Sequence, residues 1–418
     1  MSKIFYKVDI TTTSPLSIGN GEDQYTDNDV LTDDDGTPYI PGTTVAGVLS
    51  STLDDGIRNE LFSSGKSVSD EDRKMSRVFT YDAYCKNRAV ITTRDNVALN
   101  ENRQKIDGAK FDYQIIENGA SFTLLFELTQ LNENQVEAFE GIIRKMAEGH
   151  VAFGHKTTRG YGRFHVDSVS RKVFNSSNLE EYLSFDVFKW TGDEYTGYLK
   201  SDIKEDYDEI HVQIKQNGTL CIRKYNPNPM GPDSMSIQNQ NQFCVPGTSW
   251  SGAFRSYMAS LLKDLVNRKE FTYQKAIEVL ENSFYGYARK DECRKSSIQF
   301  SETILDHAKA LNIDRVKIDR FMGGAVDTAK FDELVAVDGC GELIIRIRSD
   351  VPEKKVLDAL LLLAIKDLDQ GYITIGGESS VGRGMFNVTN LSEIRNRIDV
   401  GTCKQELRRF VKELREAK

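Results

Sequence analysis

The chain repeats itself, and that repeat limits its architecture before any element is assigned. Pro41-Gly42-Thr43-Thr44-Val45-Ala46-Gly47 returns as Pro246-Gly247-Thr248-Ser249-Trp250-Ser251-Gly252. Gly154-His155-Lys156-Thr157-Thr158-Arg159-Gly160-Tyr161-Gly162-Arg163-Phe164 returns as Gly376-Gly377-Glu378-Ser379-Ser380-Val381-Gly382-Arg383-Gly384-Met385-Phe386. Val8-Asp9-Ile10 with Leu16-Ser17-Ile18 is echoed by Val212-Gln213-Ile214 with Leu220-Cys221-Ile222, and Ala109-Lys110-Phe111-Asp112 recurs letter for letter as Ala329-Lys330-Phe331-Asp332. The order is kept while the offset grows from 204 to 205, 220 and 222. The second copy thus carries short insertions, and a period this long makes each copy a whole domain rather than a solenoid unit or a heptad.

The expected organisation is a first domain over 1–190, a polar and acidic linker over 191–208, a second domain over 209–402 and a C-terminal helix over 403–418. At 39% hydrophobic residues the chain can fill two cores. No apolar run approaches the ~20 residues of a membrane span. The first residues lack the pattern of a secretory signal, and none of the six cysteines forms a Cys-x-x-Cys pair. A soluble, reduced, cytoplasmic protein without a zinc site or disulfide framework is the expectation. The net charge of −9 weighs against a free nucleic-acid binder. Placement of charge decides more than its sum. Lys156, Arg159 and Arg163 gather in the glycine-rich segment beside His155, while acid collects over 20–36 and 191–209.

Along the first copy, residues 4–13 alternate as a strand and 19–38 form a long polar loop. Pro41-Gly42 opens a helix that Thr43 or Thr44 can cap, with Val45, Val48, Leu49, Leu53 and Ile57 at helical spacing. Short strands follow over 76–84 and 88–93, a projecting hairpin or loop over 94–113, a strand over 121–130 and a helix over 133–148. Val151 and Phe153 begin a strand, the glycine loop follows, and Phe164-His165-Val166 closes the unit. The second copy repeats the order, with strands at 209–216, 341–348, 372–375 and 385–389 and helices at 248–266 and 353–369. The fold class is α+β: two tandem ferredoxin-like (RRM-like) domains with inserted loops.

The glycine loops let backbone amides approach an anion closely. With Lys156 and Arg159 adjacent, phosphate is the natural guest; a plain glycine-rich hairpin would look the same. The second loop has Glu378 and Val381 where the first has Lys156 and Arg159, and keeps Arg383 at the place of Tyr161. Thr43, Thr44, Thr248 and Ser249 stand at helix starts, where free N–H groups favour an anion, although simple capping also explains them. Phe111 and Phe331 could stack on a base or wedge a duplex apart, or anchor the projecting segment to the core.

A loop ending in Pro-Tyr-Ile-Pro-Gly-Thr-Thr-x-x-Gly, a projecting polar segment and a late Gly-Tyr-Gly-Arg-Phe resemble the RAMP superfamily of CRISPR proteins over nearly the whole chain, twice. Within it the chain looks most like the backbone subunits of type III effector complexes, which thread along the guide RNA. The resemblance implies guide RNA, target RNA and other CRISPR effector subunits as partners. It also implies a cleaving Asp, with Mg²⁺ or Mn²⁺, about fourteen residues before the Pro-Gly. Asp27-Asn28-Asp29-Val30 fits that place; Asp233-Ser234-Met235-Ser236 fits it in the second copy, one residue closer. The basic residue usual after the motif glycine is Arg255 in the second copy, whereas Ser50 stands there in the first.

RNA carries its own nucleophile, the 2′-hydroxyl. Cutting it requires the adjacent phosphate held in line and its growing charge neutralised, which a carboxylate-bound divalent cation can do. Asp27 lies among Glu22, Asp23, Asp29, Asp33, Asp34 and Asp35, which also read as a solvated acidic loop. Two alternatives stay open: a non-catalytic structural subunit of such a complex, and a RAMP endonuclease that processes precursor guide RNA without metal. The Pro-Gly-(Thr/Ser) motif in both halves weighs against the second.

Overall fold

Alternation over Tyr6–Thr12 and over Val212–Asn217 builds the first strand of each copy. In the computed structural model, which describes residues 3–19, 26–63, 75–101, 104–200, 207–225, 231–289 and 292–416, β1 (Lys3–Thr12) buries Tyr6, Val8 and Ile10 and turns Lys7 and Asp9 outward. Glu22 and Asp23 of the acidic loop, and positions 201–206 of the linker, lie outside the described residues. The chain divides into two units. One holds Met1–Arg94, Asp112–Thr157 and Tyr161–Glu205; the other holds Asp95–Phe111, Thr158–Gly160 and Asp206–Lys418.

The first copy continues through α1 (Gly42–Ser50), β2 (Val78–Thr80), a hairpin of β3 (Ile91–Leu99) and β4 (Lys105–Ile116), β5 (Ser121–Thr129), α2 (Glu133–Ala147) and β6 (Phe164–Phe174). Its main sheet has the order β6-β1-β5-β2 and its pairings are antiparallel. The β3–β4 hairpin is an insertion between the second and third strands of a β-α-β-β-α-β unit. An Asn132/Gln135 capping box opens α2, and Phe139, Ile142, Ile143 and Met146 face the sheet from it.

The second copy runs through β7 (Tyr207–Asn217), β8 (Ser234–Ser236), α3 (Gly247–Val266), β9 (Ile298–Phe300), a hairpin of β10 (Lys309–Ile318) and β11 (Ala325–Val337), β12 (Cys340–Arg348), α4 (Lys354–Asp369), β13 (Met385–Val388) and α5 (Val400–Glu416). Its main sheet has the order β13-β7-β12-β9. Last strand, first, third, second: the order is the same in both copies, and it is the ferredoxin-like order that the repeat predicts. Trp250, Phe254, Met258 and Leu262 of α3 and Leu357, Leu360, Leu361 and Ile365 of α4 are fully buried on this sheet. Each such side chain contributes roughly 1.5–3 kcal/mol. Phe410 and Val411 of α5 join that core, with Leu407 and Leu414 packed against it.

Two local expectations are corrected. Val151, Phe153, Ile373 and Ile375 are buried, but residues 151–153 and 372–375 form no strand. Phe153 N donates to Gly162 O at 3.0 Å and Gly162 N to Pro15 O at 2.7 Å; Ile375 and Gly384 repeat this with Thr219. One hydrogen-bonded crossing replaces a ladder. Nor do Thr43 or Thr44 cap α1: Pro41 and Pro246 hold the cap positions, and neither α1 nor α3 has a side-chain cap. The threonines come too late, inside the first turn, and Asp82 Oδ1 accepts the Gly42 amide at 2.7 Å instead.

Candidate functional site

The acidic loop is tied to the base of the hairpin, and the tie is the same in both copies. Asp112 N donates to Asp27 Oδ2 at 2.9 Å while Asp27 N donates to Asp112 Oδ1 at 3.3 Å. Asp332 N donates to Asp233 Oδ2 at 3.2 Å while Asp233 N donates to Asp332 Oδ1 at 3.0 Å. Asp27 and Asp233 are exposed; Asp112 and Asp332 are half-buried. Gln114 extends the contact in the first copy, its N donating to Asn28 O at 3.0 Å and its Oε1 accepting from Val30 N at 3.1 Å. In the second copy β8 runs parallel to β11, Ser234 opposite Glu333. Asp29 turns inward, buried, and accepts from Thr26 Oγ1 at 2.6 Å.

Just inside each aspartate pair lies the glycine loop, and here the copies exchange their chemistry. Lys156 and Glu378 occupy equivalent positions and share a left-handed backbone, φ +58° in both. Lys156 Nζ sits 2.7 Å from the centroid of the Tyr113 ring. The Tyr113 and Tyr161 hydroxyls lie 2.9 Å apart, and Arg94 donates to Tyr161 at 3.1 Å. In the second copy Glu333 replaces Tyr113, Glu378 replaces Lys156 and Arg383 replaces Tyr161. Arg383 is 3% exposed, 2.9 Å from Glu333 and 3.0 Å from Glu378. Arg223 also pairs with both carboxylates, as does Arg315, at 2.8 Å from Glu378. Burial works against the Arg223 charge, but the Glu333 and Glu378 carboxylates outweigh it and raise its proton affinity. The nearby Cys221 thiol is pushed up by burial, with Glu333 adding to the effect.

The other expected contacts divide. His155 and Arg159 are exposed on the first loop, whose turn Thr157–Arg159 is a short 3-10 helix. The Arg163 guanidinium instead donates to Gly149 O at 2.7 Å. Thr43 is exposed at the start of α1 and Thr44 half-buried; Thr248 and Ser249 are half-buried at the start of α3. Arg255 donates to Glu281 at 3.1 Å on a half-exposed face. Phe111 and Phe331 lie on their hairpin strands, 39% and 38% exposed. The residues missed from sequence are Asp112, Asp332, Tyr113, Glu333 and the guanidinium groups of Arg94, Arg223 and Arg315. A signal for the first two was present: the four-residue echo ends in Asp both times.

An Mg²⁺ or Mn²⁺ ion takes oxygen ligands and is commonly held by one or two carboxylates together with substrate phosphate and water. Each copy exposes one loop carboxylate, Asp27 or Asp233, while Asp112 and Asp332 are half-buried and spend Oδ1 on the loop amide; among the described residues no cluster of three or more His, Cys, Asp or Glu side chains is found. An exposed carboxylate is an oxygen donor of the kind such a cation takes.

Tandem ferredoxin-like units with a hairpin insertion and a terminal glycine loop define a class, and comparison with protein families identifies it. The RAMP superfamily matches residues 9–165 and 233–387. The chain belongs to that superfamily, in two tandem copies. No curated protein matches it. One solved structure that it resembles is described as "Cryo-EM structure of the Type III-B Cmr-beta bound to cognate target RNA", with 16% identity and a TM-score of 0.34 over 42% of this chain and 61% of that one. The match thus spans less than two thirds of that chain.

Proposed function

We propose that this chain is a guide-RNA-binding backbone subunit of a type III CRISPR ribonucleoprotein, two backbone domains in one polypeptide, and that each domain cuts target RNA paired to the guide. The observation that carries this reading is the aspartate pair, formed twice with the same four groups. Its exposure at the base of a hairpin leaves room for a strand to pass. Its partners are guide RNA, target RNA and the neighbouring subunits of the complex.

The chemistry follows from RNA. The 2′-oxygen attacks the adjacent phosphorus in line and loses its proton to solvent. The P–O5′ bond breaks, the 5′-oxygen takes up a proton, and a cyclic phosphate and a 5′-hydroxyl result. A divalent cation, when bound, would supply neutralisation of the charge growing on the phosphate oxygens. Asp27 or Asp233 would hold that cation against the phosphate with its exposed carboxylate, and its amide bonds keep the carboxylate in place. Lys156, Arg159 and His155 on the first glycine loop supply the guide side of the groove.

The test is target cleavage by the assembled complex. A paired target should break at two places, Asp27→Ala should erase one and Asp233→Ala the other, and EDTA should stop both. Guide retention should stay unchanged, since a carboxylate repels phosphate unless a cation lies between them. Cleavage untouched by the double substitution would refute the catalytic role and leave a structural subunit.

A further inference from the structure

Asp112 and Asp332 lie outside the acidic loop, yet each reaches it twice. In both copies the Oδ1 of this residue accepts the amide of the loop aspartate, while its own amide donates to that aspartate's Oδ2. The two bonds run in opposite directions and close a ring. One fixes where the loop backbone lies; the other fixes which way the loop carboxylate points. Charge assistance strengthens both bonds.

The surroundings of the ring differ between the copies. Gln114 stitches the first loop to its hairpin strand through Asn28 and Val30. The second loop pairs as a short parallel strand, Ser234 with Glu333 and Met235 with Leu334. The two aspartates stand 85 positions apart in one copy and 99 in the other. The loop side of the contact and the residue after each hairpin aspartate differ between the copies, and the contact is the same.

We infer that Asp112 and Asp332 are positioning residues: each sets the carboxylate of Asp27 or Asp233 for cleavage at the base of its hairpin. The inference rests on the cleavage reading above, and its test separates the two. A displacement of about 1 Å at a reacting group costs up to about a hundredfold in rate. Asp112→Ala in the assembled complex should therefore slow the first cut by about ten- to a hundredfold and leave the second cut unchanged. Asp112→Asn keeps an acceptor for the Asp27 amide and should cut at close to the wild-type rate. Asp332 should behave in the same way toward the second cut. Hydrogen exchange of the loop amides gives a readout independent of cleavage: exchange at 27–30 should accelerate in Asp112→Ala and stay slow in Asp112→Asn.

An Ala variant with normal cutting and normal exchange would overturn the inference. So would an Asn variant that cuts as poorly as Asp27→Ala while its loop stays protected, because Asp112 would then act through its charge. If instead Asp27→Ala leaves cleavage intact, the cleavage reading falls, and the exchange data alone decide whether Asp112 holds the loop.

Discussion

Gly162 and Gly384 occupy positions that no residue with a side chain can fill comfortably. Both are left-handed, at φ +72° and +73°, and a Cβ would lie 1.8 Å from Phe153 O in one and 1.9 Å from Ile375 O in the other. Gly162→Ala or Gly384→Ala should lower unfolding stability by about 2–4 kcal/mol, combining backbone strain with the overlap, as a denaturant titration would show. Gly47 and Gly252 are the opposite case. They recur in the same motif, yet both are exposed and helical, and a methyl group added at either would meet nothing within 4 Å. Alanine at either should stabilise the helix by about 0.5–1 kcal/mol. A fall in guide retention alongside that gain would mark this helix face as the one RNA approaches; retention that rises with stability would exclude it.

At the scale of elements, the second glycine loop is held by charge where the first is held by aromatic rings. Glu333 is 2% exposed and joins β11 to Arg383 and Arg223. Removing one partner of a buried ion pair typically costs about 3–5 kcal/mol. Glu333→Ala should lose stability in that range, measured by chemical denaturation, and Glu333→Gln should lose less because it keeps an acceptor. Helices and central strands are legible in the sequence because their periodicities run unbroken, as in Phe139-Ile142-Ile143-Met146. Val151–Phe153 misleads because it alternates and is buried like a strand, while its hydrogen bonds go to a loop that no periodicity encodes. Asp112 escapes notice for a related reason: its partner is far away in sequence, and the neighbouring Phe111 looks like the chemically active residue. Arg383 reads as a phosphate contact because its two carboxylate partners arrive from β11 and from its own loop.

At the scale of the whole molecule, 63 acidic against 54 basic residues give a net negative charge that opposes RNA, against which the first glycine loop sets Lys156 and Arg159. The second loop adds less, since Glu378 and Glu333 offset two of the three positive charges of Arg383, Arg315 and Arg223. The isolated chain should bind guide RNA weakly, losing about tenfold in affinity from roughly 50 to 200 mM salt, and tightly only within the assembled complex. Lys156→Ala with Arg159→Ala should weaken retention without unfolding the protein, lowering stability by about 0.5–2 kcal/mol as Lys156 leaves the Tyr113 ring. Tight binding by the monomer in high salt would contradict this, and a collapsed melting temperature with RNA binding intact would make the loop purely structural.

The strand order also bears on how such a chain could arise. The first and last strands of the first sheet are hydrogen-bonded neighbours, and they are antiparallel, so Lys3 at the entrance of β1 lies opposite Phe174 at the exit of β6. In the second sheet β7 and β13 pair in the same sense, Ile214 opposite Val388. A module that begins and ends at one place can be copied, joined head to tail or re-cut at a new terminus with little disturbance to its interior. Gene duplication followed by fusion thus asks almost nothing of this fold.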